Sequence, residues 1–593
     1  MSGIVGLWNP DGPPAAPEEI ARMAEAMSHR GPDDMRTVVN GPAALGYVHL
    51  ETRTKPLPVV QPAVDAEAGL TIVLDGRIDN REELASALES RGLRSRNSAD
   101  AGLILCAYRL WGVESPTHVL GDFAFAIWDS RNQRFFCARD QIGVKPFFYH
   151  YSPNTLFAFS SEINGIIAIN RVPRRVNEYR MADYLVNELD REDTVGTFYK
   201  DIQRLTGGHC LMAGQDTIKI WRYWEPLLRE GERYRSIEEC GEAFRAVLME
   251  ATSDRIRDTA AIGYALSGGL DSGSVVGAAR ELSGGPARAN LGCFSLLDDG
   301  SQAAARMVRS VADQGGIASH LVWPQDVTAE NFDLAGFIGG SDEPFDIEQG
   351  WFEWITYRAA RRHGCRVFLD GLDGDQMHPH PAYLGSLLRS GRWLEAIRDA
   401  GYLSGDTKLP AWRILARYGL FPIFPRAMRE LVRIKRTLWK PQDTSIVWIN
   451  QDLARQTHVA ERCMARRQAI FTAARDPFLL HSLSFSTGSL SFALEVLDKT
   501  AGLLALELRH PLADRRVVEF LISLPLKRKV HFPASKTIMR TGMRGLLPEP
   551  LLRQRRLPHP IRCPRYAKSA DRSSASTLVM PCGISLCWPI GCA

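Results

Sequence analysis

The chain has 593 residues, 45% of them hydrophobic and 24% charged, with a net charge of +4. That length is too great for one hydrophobic core and predicts two or more domains of a globular protein. The small net charge carries no nucleic-acid signature, no apolar run reaches the roughly 20 residues a membrane helix needs, and residues 1–17 hold no secretory pattern. Eleven cysteines without a framework fit a reducing cytoplasm.

The chain begins with an apolar strand, Met1–Trp8, and a helix over Pro17–Ser28. Arg30-Gly31-Pro32-Asp33 reads as a turn. Strand-like runs follow at Gly41–His49, Leu70–Leu74, Phe123–Trp128, Phe135–Ala138 and Leu156–Ser160, with helices over Glu82–Arg91 and Ala99–Trp111. Strands grouped around two helices predict stacked sheets with helical layers, an α+β domain.

Several of these stretches resemble, in order, the class II (N-terminal-nucleophile, Ntn-hydrolase-like) glutaminase domain of asparagine synthetases. They are Arg30-Gly31-Pro32-Asp33, Gly121–Asp129, Ala138–Tyr149 and Phe159-Ser160-Ser161-Glu162. The resemblance places that domain at residues 1–205. Its departures carry the functional reading. Active members have Cys after Met1, whereas this chain has Ser2, a weaker nucleophile that can still act with a terminal amine. The family's Arg-Leu is His49-Leu50, its Asn-Gly-Glu is Asp75-Gly76-Arg77, and its Asp is matched by Asp100. Loss of an Arg and reversal of charge disfavour binding a free amino acid, so the domain reads as a scaffold without glutaminase activity. The competing reading is a slow Ser-type amidohydrolase.

Thr206-Gly207-Gly208-His209 and Trp221–Pro226 resemble the family's crossing between domains, so residues 206–235 are expected to be a linker. A helix from Ile237 to Arg257 opens the second domain, expected over residues 236–560. It leads into Gly263-Tyr264-Ala265-Leu266-Ser267-Gly268-Gly269-Leu270-Asp271-Ser272. This is a strand, a glycine loop and a helix start. Glycines let backbone N–H groups approach an anion, and the helix N-terminus adds positive potential. Ser267 and Ser272 can donate to phosphate. Asp271 beside a phosphate requires an intervening cation, which predicts Mg²⁺. No Gly-Lys-Ser/Thr follows, so the loop is no γ-phosphate P-loop. Ser267, Gly268, Gly269, Leu270, Asp271 and Ser272 together form the pyrophosphate-loop pattern of enzymes that cut ATP between its α and β phosphates.

Strands at Asn290–Leu297, His320–Trp323 and Arg366–Asp370 alternate with helices at Ala303–Gln314 and Glu348–His363. The alternation predicts a doubly wound parallel sheet, an α/β domain of the adenine-nucleotide α-hydrolase kind, with ligands at the carboxyl ends of its strands. Two acidic clusters are expected there, Ser341-Asp342-Glu343-Pro344 and Asp370-Gly371-Leu372-Asp373-Gly374-Asp375-Gln376. The second stands where the family has Ser-Gly-x-Gly-Ala-Asp-Glu. Asp375 matches the Asp that shares Mg²⁺ with the loop Asp, here Asp271, and Asp373 is a candidate further ligand. Asparagine synthetases carry Glu and β-lactam synthetases Tyr where this chain has Leu372. The pattern Asp-Gly-x-Asp-Gly-Asp is similar instead to the lasso-peptide cyclases of the same superfamily.

His378-Pro379-His380-Pro381 reads as a substrate-lining or exposed loop. From Tyr383 to Thr487 the chain is mostly amphipathic helix with Trp393, Trp412, Trp439, Trp448 and Arg426–Arg436, a helical insertion able to receive a peptide or merely a solvated layer. Glu507-Leu508-Arg509-His510-Pro511 resembles the family's Glu-x-Arg-x-Pro segment, which makes Glu507 a match for the β-lactam synthetase base and Arg509 a site residue. Lys536, at the start of a Lys-x-x-x-Arg segment, is the candidate that neutralises departing pyrophosphate. The quoted motifs end at Pro550. The family's Arg-then-Lys is replaced by Arg553-Gln554-Arg555-Arg556, and residues 561–593 form an atypical tail carrying Cys563, Cys582, Cys587 and Cys592. Composition and resemblance fail together near Arg556, as a shifted reading frame would produce.

The resemblance implies an ATP-dependent, AMP-forming ligase whose catalytic set is Lys536, Glu507 and Asp375. Its implied substrate is a lasso precursor peptide, with a leader-binding protein and a leader protease as partners. An ammonia-dependent synthetase acting on a small acid, and a non-catalytic scaffold, are the alternatives.

Overall fold

The computed structural model describes the chain except residues 56–59, 96–98, 187–188, 190–191, 227–233, 235, 298–301, 324–336, 338–339, 345–346, 375–380, 408, 425–448, 474–487, 525–535, 555–575, 580–584 and 589–593. The first domain contains two six-stranded sheets. One runs Gln203–Arg204, Phe148–Ser152, Leu156–Ser160, Gly3–Trp8, Ala43–His49, Asp34–Asn40 in spatial order. The other runs Ile218–Arg222, His209–Ala213, Arg134–Arg139, Phe123–Asp129, Leu70–Gly76, Ala63–Asp65. All neighbouring strands in both are antiparallel.

The two-residue period of each strand assigns its side chains to alternate layers. Ile4 and Trp8 enter the core between the sheets with Ala124, Ala126 and Trp128. Val5 and Leu7 face the opposite way, under the helix Pro17–Glu25. Phe123, Phe125 and Ile127 turn outward, beneath the helices Arg81–Glu89 and Asp100–Trp111. The result is a helix–sheet–sheet–helix stack.

Two boundaries differ from the sequence reading. The strands His209–Ala213 and Ile218–Arg222 complete the second sheet, so the residues assigned to the start of a linker belong to the first domain. The resemblance to the family's crossing between domains placed a connection there, but the apolar residues Cys210, Leu211 and Ala213 are fully buried. The third strand of the second domain is Ile317–Val322 rather than a run ending at Trp323; it is the sheet edge, and its mixed composition hides its start.

The second domain is built on five parallel strands in the order Ile317–Val322, Leu291–Leu296, Ile262–Ala265, Val367–Leu369, Glu507–Arg509. Helices cover both faces, as an all-parallel sheet requires. Ile237–Ile256, Leu270–Leu282, Arg515–Ser523 and Thr537–Gly542 pack on one, Ile347–Arg362 and Gly488–Gly502 on the other. Met1 of the first domain is buried in the second of these cores, beside Phe294, Trp351 and Leu508. The described part of the insertion includes the helices Tyr383–Arg389, Trp393–Thr407, Ala411–Ile414, Gln451–Gln456 and Val459–Ala473, with a π-helical stretch at Leu415–Leu420. Trp439, Trp448 and Arg426–Arg436 lie outside the described residues, as do Arg555, Arg556, Cys563, Cys582 and Cys592. Two short strands, Ser576–Val579 and Ser585–Trp588, pair antiparallel in the tail. Among the described residues no helix is long and apolar enough to cross a membrane.

Candidate active site

The strand Ile262–Ala265 is central, and the sheet's chain order reverses between it and Val367–Leu369. The crevice at such a switch point is where parallel sheets take ligands. The two loops that leave these strands are the glycine loop and the Asp370–Gly374 turn.

The glycine loop is closed by its own serines. Ser272 Oγ accepts from the Ser267 amide at 3.1 Å, and the two hydroxyls lie 3.0 Å apart. Gly268 has φ +76°, and a Cβ there would come within 2.8 Å of the Ala304 carbonyl, so both conformation and space demand glycine. Gly269 precedes the helix Leu270–Leu282, whose first turn has no side-chain cap among the described residues. The amides of such a helix start are suited to an anion.

Asp271 is in that first turn. Lys536 Nζ reaches its Oδ2 at 2.5 Å across 265 residues of sequence. Lys536 has φ +55°, a left-handed conformation uncommon for a side-chain-bearing residue, immediately before the helix Thr537–Gly542. The facing turn presses onto the loop. A Cβ on Gly371 would lie 2.4 Å from the Ser272 nitrogen, and one on Gly374 would lie 2.3 Å from Asp271 Cγ. Asp373 between them has φ +75°. Asp375, Gln376 and the His378-Pro379-His380 stretch lie outside the described residues; among the described ones no three His, Cys, Asp or Glu side chains are grouped to hold a metal. The loop's amides, two hydroxyls, one lysine and one carboxylate fit a Mg²⁺–triphosphate: the donors would take phosphate oxygens, and Asp271 would hold the cation that makes its own charge tolerable there. Gly374→Ala is expected to displace the Asp271 carboxylate and lower ATP–pyrophosphate exchange about tenfold or more. An initial-rate exchange assay checks this.

The remaining site residues divide differently from expectation. Asp342 and Glu343, expected to face the loop, face the first domain. Asp342 accepts from the Ile163 amide at 2.9 Å and pairs with Lys499 at 3.1 Å, while Glu343 accepts from the Phe198 amide at 2.6 Å and pairs with Arg204. Backbone donors and cations of the domain interface satisfy both carboxylates, which is the reason they point away from the crevice. Glu507 begins its strand instead of ending it. It accepts from Arg509 Nε at 2.8 Å and lies 4.0 Å from Lys145 Nζ of the first domain. Burial raises its pKa, but Arg509 and Lys145 overcome this and hold it well below the usual carboxylate range. An anion so stabilised is a poor proton acceptor. Arg509 also donates to Thr259 Oγ1 at 2.6 Å.

At the carboxyl ends of the last two strands, Asp370 meets His510, Oδ1 to Nδ1 at 2.7 Å. Neither was singled out as a site residue by sequence. The legible signal was an acid and a histidine each placed directly after a buried strand. Leu372 is half-buried between two apolar clusters, one containing Trp351 and Leu497, the other Ile142 and Val144 of the first domain.

In the first domain, Ser2 Oγ accepts from Tyr47 Oη at 3.0 Å and from the Leu50 amide at 3.2 Å. His49 Nδ1 lies 3.2 Å from the same Tyr47 hydroxyl. Arg77 donates to Asp122 at 2.6 Å and to Asp79 at 3.0 Å. Asp100 accepts from the Ile78 amide at 3.1 Å and pairs with Arg81. Asp75 accepts from Arg30 at 3.3 Å and from Ser161 Oγ at 3.2 Å. Each changed pocket residue is thus engaged within the protein.

Two family models match the chain: a glutamine amidotransferase domain over residues 1–224 and asparagine synthase over residues 243–575. The second alone spans more than half of the sequence. The chain belongs to the asparagine synthase family. The match extends beyond Pro550, where the quoted motifs end. Among curated relatives, this asparagine synthase family chain is 26% identical over 578 residues to glutamine-hydrolyzing asparagine synthetase 3 of Bacillus subtilis, covering 93% of this chain and 86% of that one. It is 29% identical over 396 residues to a putative glutamine-hydrolyzing asparagine synthetase 2 of Methanocaldococcus jannaschii, covering 64% and 75%. It is 25% identical over 379 residues to amidase chyE of Penicillium rubens, covering 60% and 54%. Asparagine synthase homologues are ATP-dependent, AMP-forming carbon–nitrogen ligases, and this chain is an enzyme of that class.

Proposed function

We propose that this asparagine synthase family member closes a macrolactam in a lasso precursor peptide, joining the peptide's N-terminal amine to an Asp or Glu side chain. The side-chain carboxylate attacks the α phosphorus of ATP and releases pyrophosphate. The amine nitrogen then attacks the acyl-adenylate carbonyl, loses a proton and releases AMP. Ser267–Ser272 would cradle the triphosphate, Asp271 and Asp375 would hold Mg²⁺, and Lys536 would meet the leaving pyrophosphate. The metal would neutralise phosphate charge; positioning of the peptide and electrostatic stabilisation would supply most of the rate. A leader-binding protein and a leader protease are the proposed partners, in the cytoplasm.

The observation that carries this reading is the acceptor side of the crevice. Leu372, packed between apolar clusters, offers neither the carboxylate of an asparagine synthetase nor the phenol of a β-lactam synthetase. In support, Ser2, Arg77 and Asp75 are all engaged internally, which favours a first domain retained as a scaffold without glutaminase activity. The second reading is an ammonia-dependent synthetase of a small acid; the names of two relatives, both glutamine-hydrolyzing asparagine synthetases, favour the small acid but not the ammonia. ATP–pyrophosphate exchange separates them: dependence on a peptide acid is expected, and dependence on free aspartate would overturn the cyclase. Ser2→Ala is expected to leave exchange unchanged, with no glutamate released from glutamine by either form; glutamate release above the blank would overturn the scaffold reading.

A further inference from the structure

Strands Val367–Leu369 and Glu507–Arg509 pair in parallel with Leu369 opposite Arg509. The next residue of each, Asp370 and His510, therefore stand side by side at the carboxyl ends. Their 2.7 Å contact is buried, with His510 only 2% exposed. The same Asp370 Oδ1 accepts from the Leu372 amide at 3.0 Å, and the Asp370 amide donates to the Arg509 carbonyl at 3.4 Å. Asp370 is thus tied to the neighbouring strand by side chain and backbone, and to the turn that follows it.

That turn is under constraint. Asp373 is left-handed, a conformation that persists where surroundings over-determine it. Gly371 and Gly374 abut the Asp271 backbone and carboxylate with no room for a methyl group. A displacement of the turn is therefore transmitted directly to Asp271. Burial lowers the proton affinity of His510, but the Asp370 charge and hydrogen bond, with Asp122 beyond and Arg255 opposing, raise it overall. Glu353, facing Asp370 from the helix Ile347–Arg362, is pushed up to about 7 by burial and by that same carboxylate. A hydrogen bond from an imidazole to a carboxylate is charge-assisted, roughly twice as strong as a neutral one.

We propose that His510 is a positioning residue: clamped on Asp370, it fixes the Gly371–Gly374 turn against Asp271 and so sets the carboxylate that receives Mg·ATP. This rests on the reading that the glycine loop takes Mg·ATP. Neither residue need touch the nucleotide.

The test uses the full chain and the non-hydrolysed probe Mg·α,β-methylene-ATP, with calorimetric Kd, thermal unfolding without nucleotide, and kcat and KM for exchange measured separately. His510→Ala and Asp370→Asn are expected to weaken binding of the probe about 10–100-fold, the loss usual for groups one step removed from a metal site, and to raise KM for Mg·ATP. His510→Asn, which keeps a donor without the charge, is expected to bind more tightly than His510→Ala. Leu512→Ala, which opens the buried core two residues away, is expected to lower the unfolding temperature and leave Kd unchanged. Variants at 510 and 370 that lose thermal stability while Kd stays within about twofold of the parent would overturn the proposal. A parent chain that does not bind the probe would overturn the reading of the loop, and this inference with it.

Discussion

Asp271→Asn is expected to abolish ATP–pyrophosphate exchange, with a fall of about a thousandfold or more, while the protein remains folded. The loss is large because the carboxylate acts where charge develops, and removal of one preorganised charge partner at such a position costs about 10²–10³-fold on its own. Loss of the cation that Asp271 would hold adds to this. The geometry isolates the effect. Asn preserves the shape that Gly374 packs against, so the turn is not relieved or pushed. The pair with Lys536 is lost, but Asp271 is 23% exposed and such a pair contributes only about 1 kcal/mol or less to folding. Exchange kinetics together with thermal unfolding check the result: full exchange activity in the Asn variant would remove Asp271 from the metal site, and collapse of the fold would show that it holds structure.

Arg30→Met is expected to give the largest loss of stability of any single substitution at the domain interface, about 3–5 kcal/mol. Arg30 is fully buried. Its Nη1 donates to Asp498 at 2.5 Å and to Glu162 at 3.0 Å, its Nη2 to Asp75 at 3.3 Å, and its Nε to the Ser2 carbonyl at 3.0 Å. Asp498 belongs to the second domain and the others to the first, so one guanidinium fork spans both. Methionine replaces the volume and leaves three carboxylates without their shared counter-charge. Lys499, which also bonds Glu162, and Lys145, 3.7 Å from Asp75, compensate in part.

The pH dependence follows from opposite shifts. Glu162 is held well below the usual range, burial being outweighed by Lys499, His29 and Arg30. Its contribution is fully present above the unfolded carboxylate pKa, about 4.3, and is lost progressively as pH falls from there through its lowered folded value. Burial raises Asp75, which acts in the other direction. Calorimetric unfolding at pH 7 and near pH 4 is expected to show the gap between parent and Arg30→Met narrowing in acid. An unchanged gap would mean that Glu162 is not the carboxylate through which Arg30 acts.

Much of the fold is legible locally. Leu156–Ser160 matches its strand end to end, and the helix expected from Ile237 to Arg257 is observed over Ile237–Ile256. Their hydrophobic periods match the layers that bury them. Asp34–Asn40 was not legible: it is a mostly exposed edge strand of polar composition, defined by its register with Ala43–His49 and not by a buried face. His209–Ala213 was placed in the linker for another reason: the stretches on either side of it, Thr206–His209 and Trp221–Pro226, resemble a crossing between domains, and its pairing with Arg134–Arg139 is visible only in the tertiary structure.

The glycine loop, its cation-demanding Asp271 and the alternating strands and helices around it are determined by sequence alone. Their chemistry lies in contiguous residues whose backbone conformation and polarity are local properties. Partner choice is not local. That Lys536 meets Asp271, that Asp370 meets His510, and that Asp342 and Glu343 turn to the first domain were decided by tertiary structure. A sequence states which charges must be compensated; strand order and domain docking bring particular counter-charges within hydrogen-bonding distance, and the cost of burying an unpaired ion favours arrangements that bring them together.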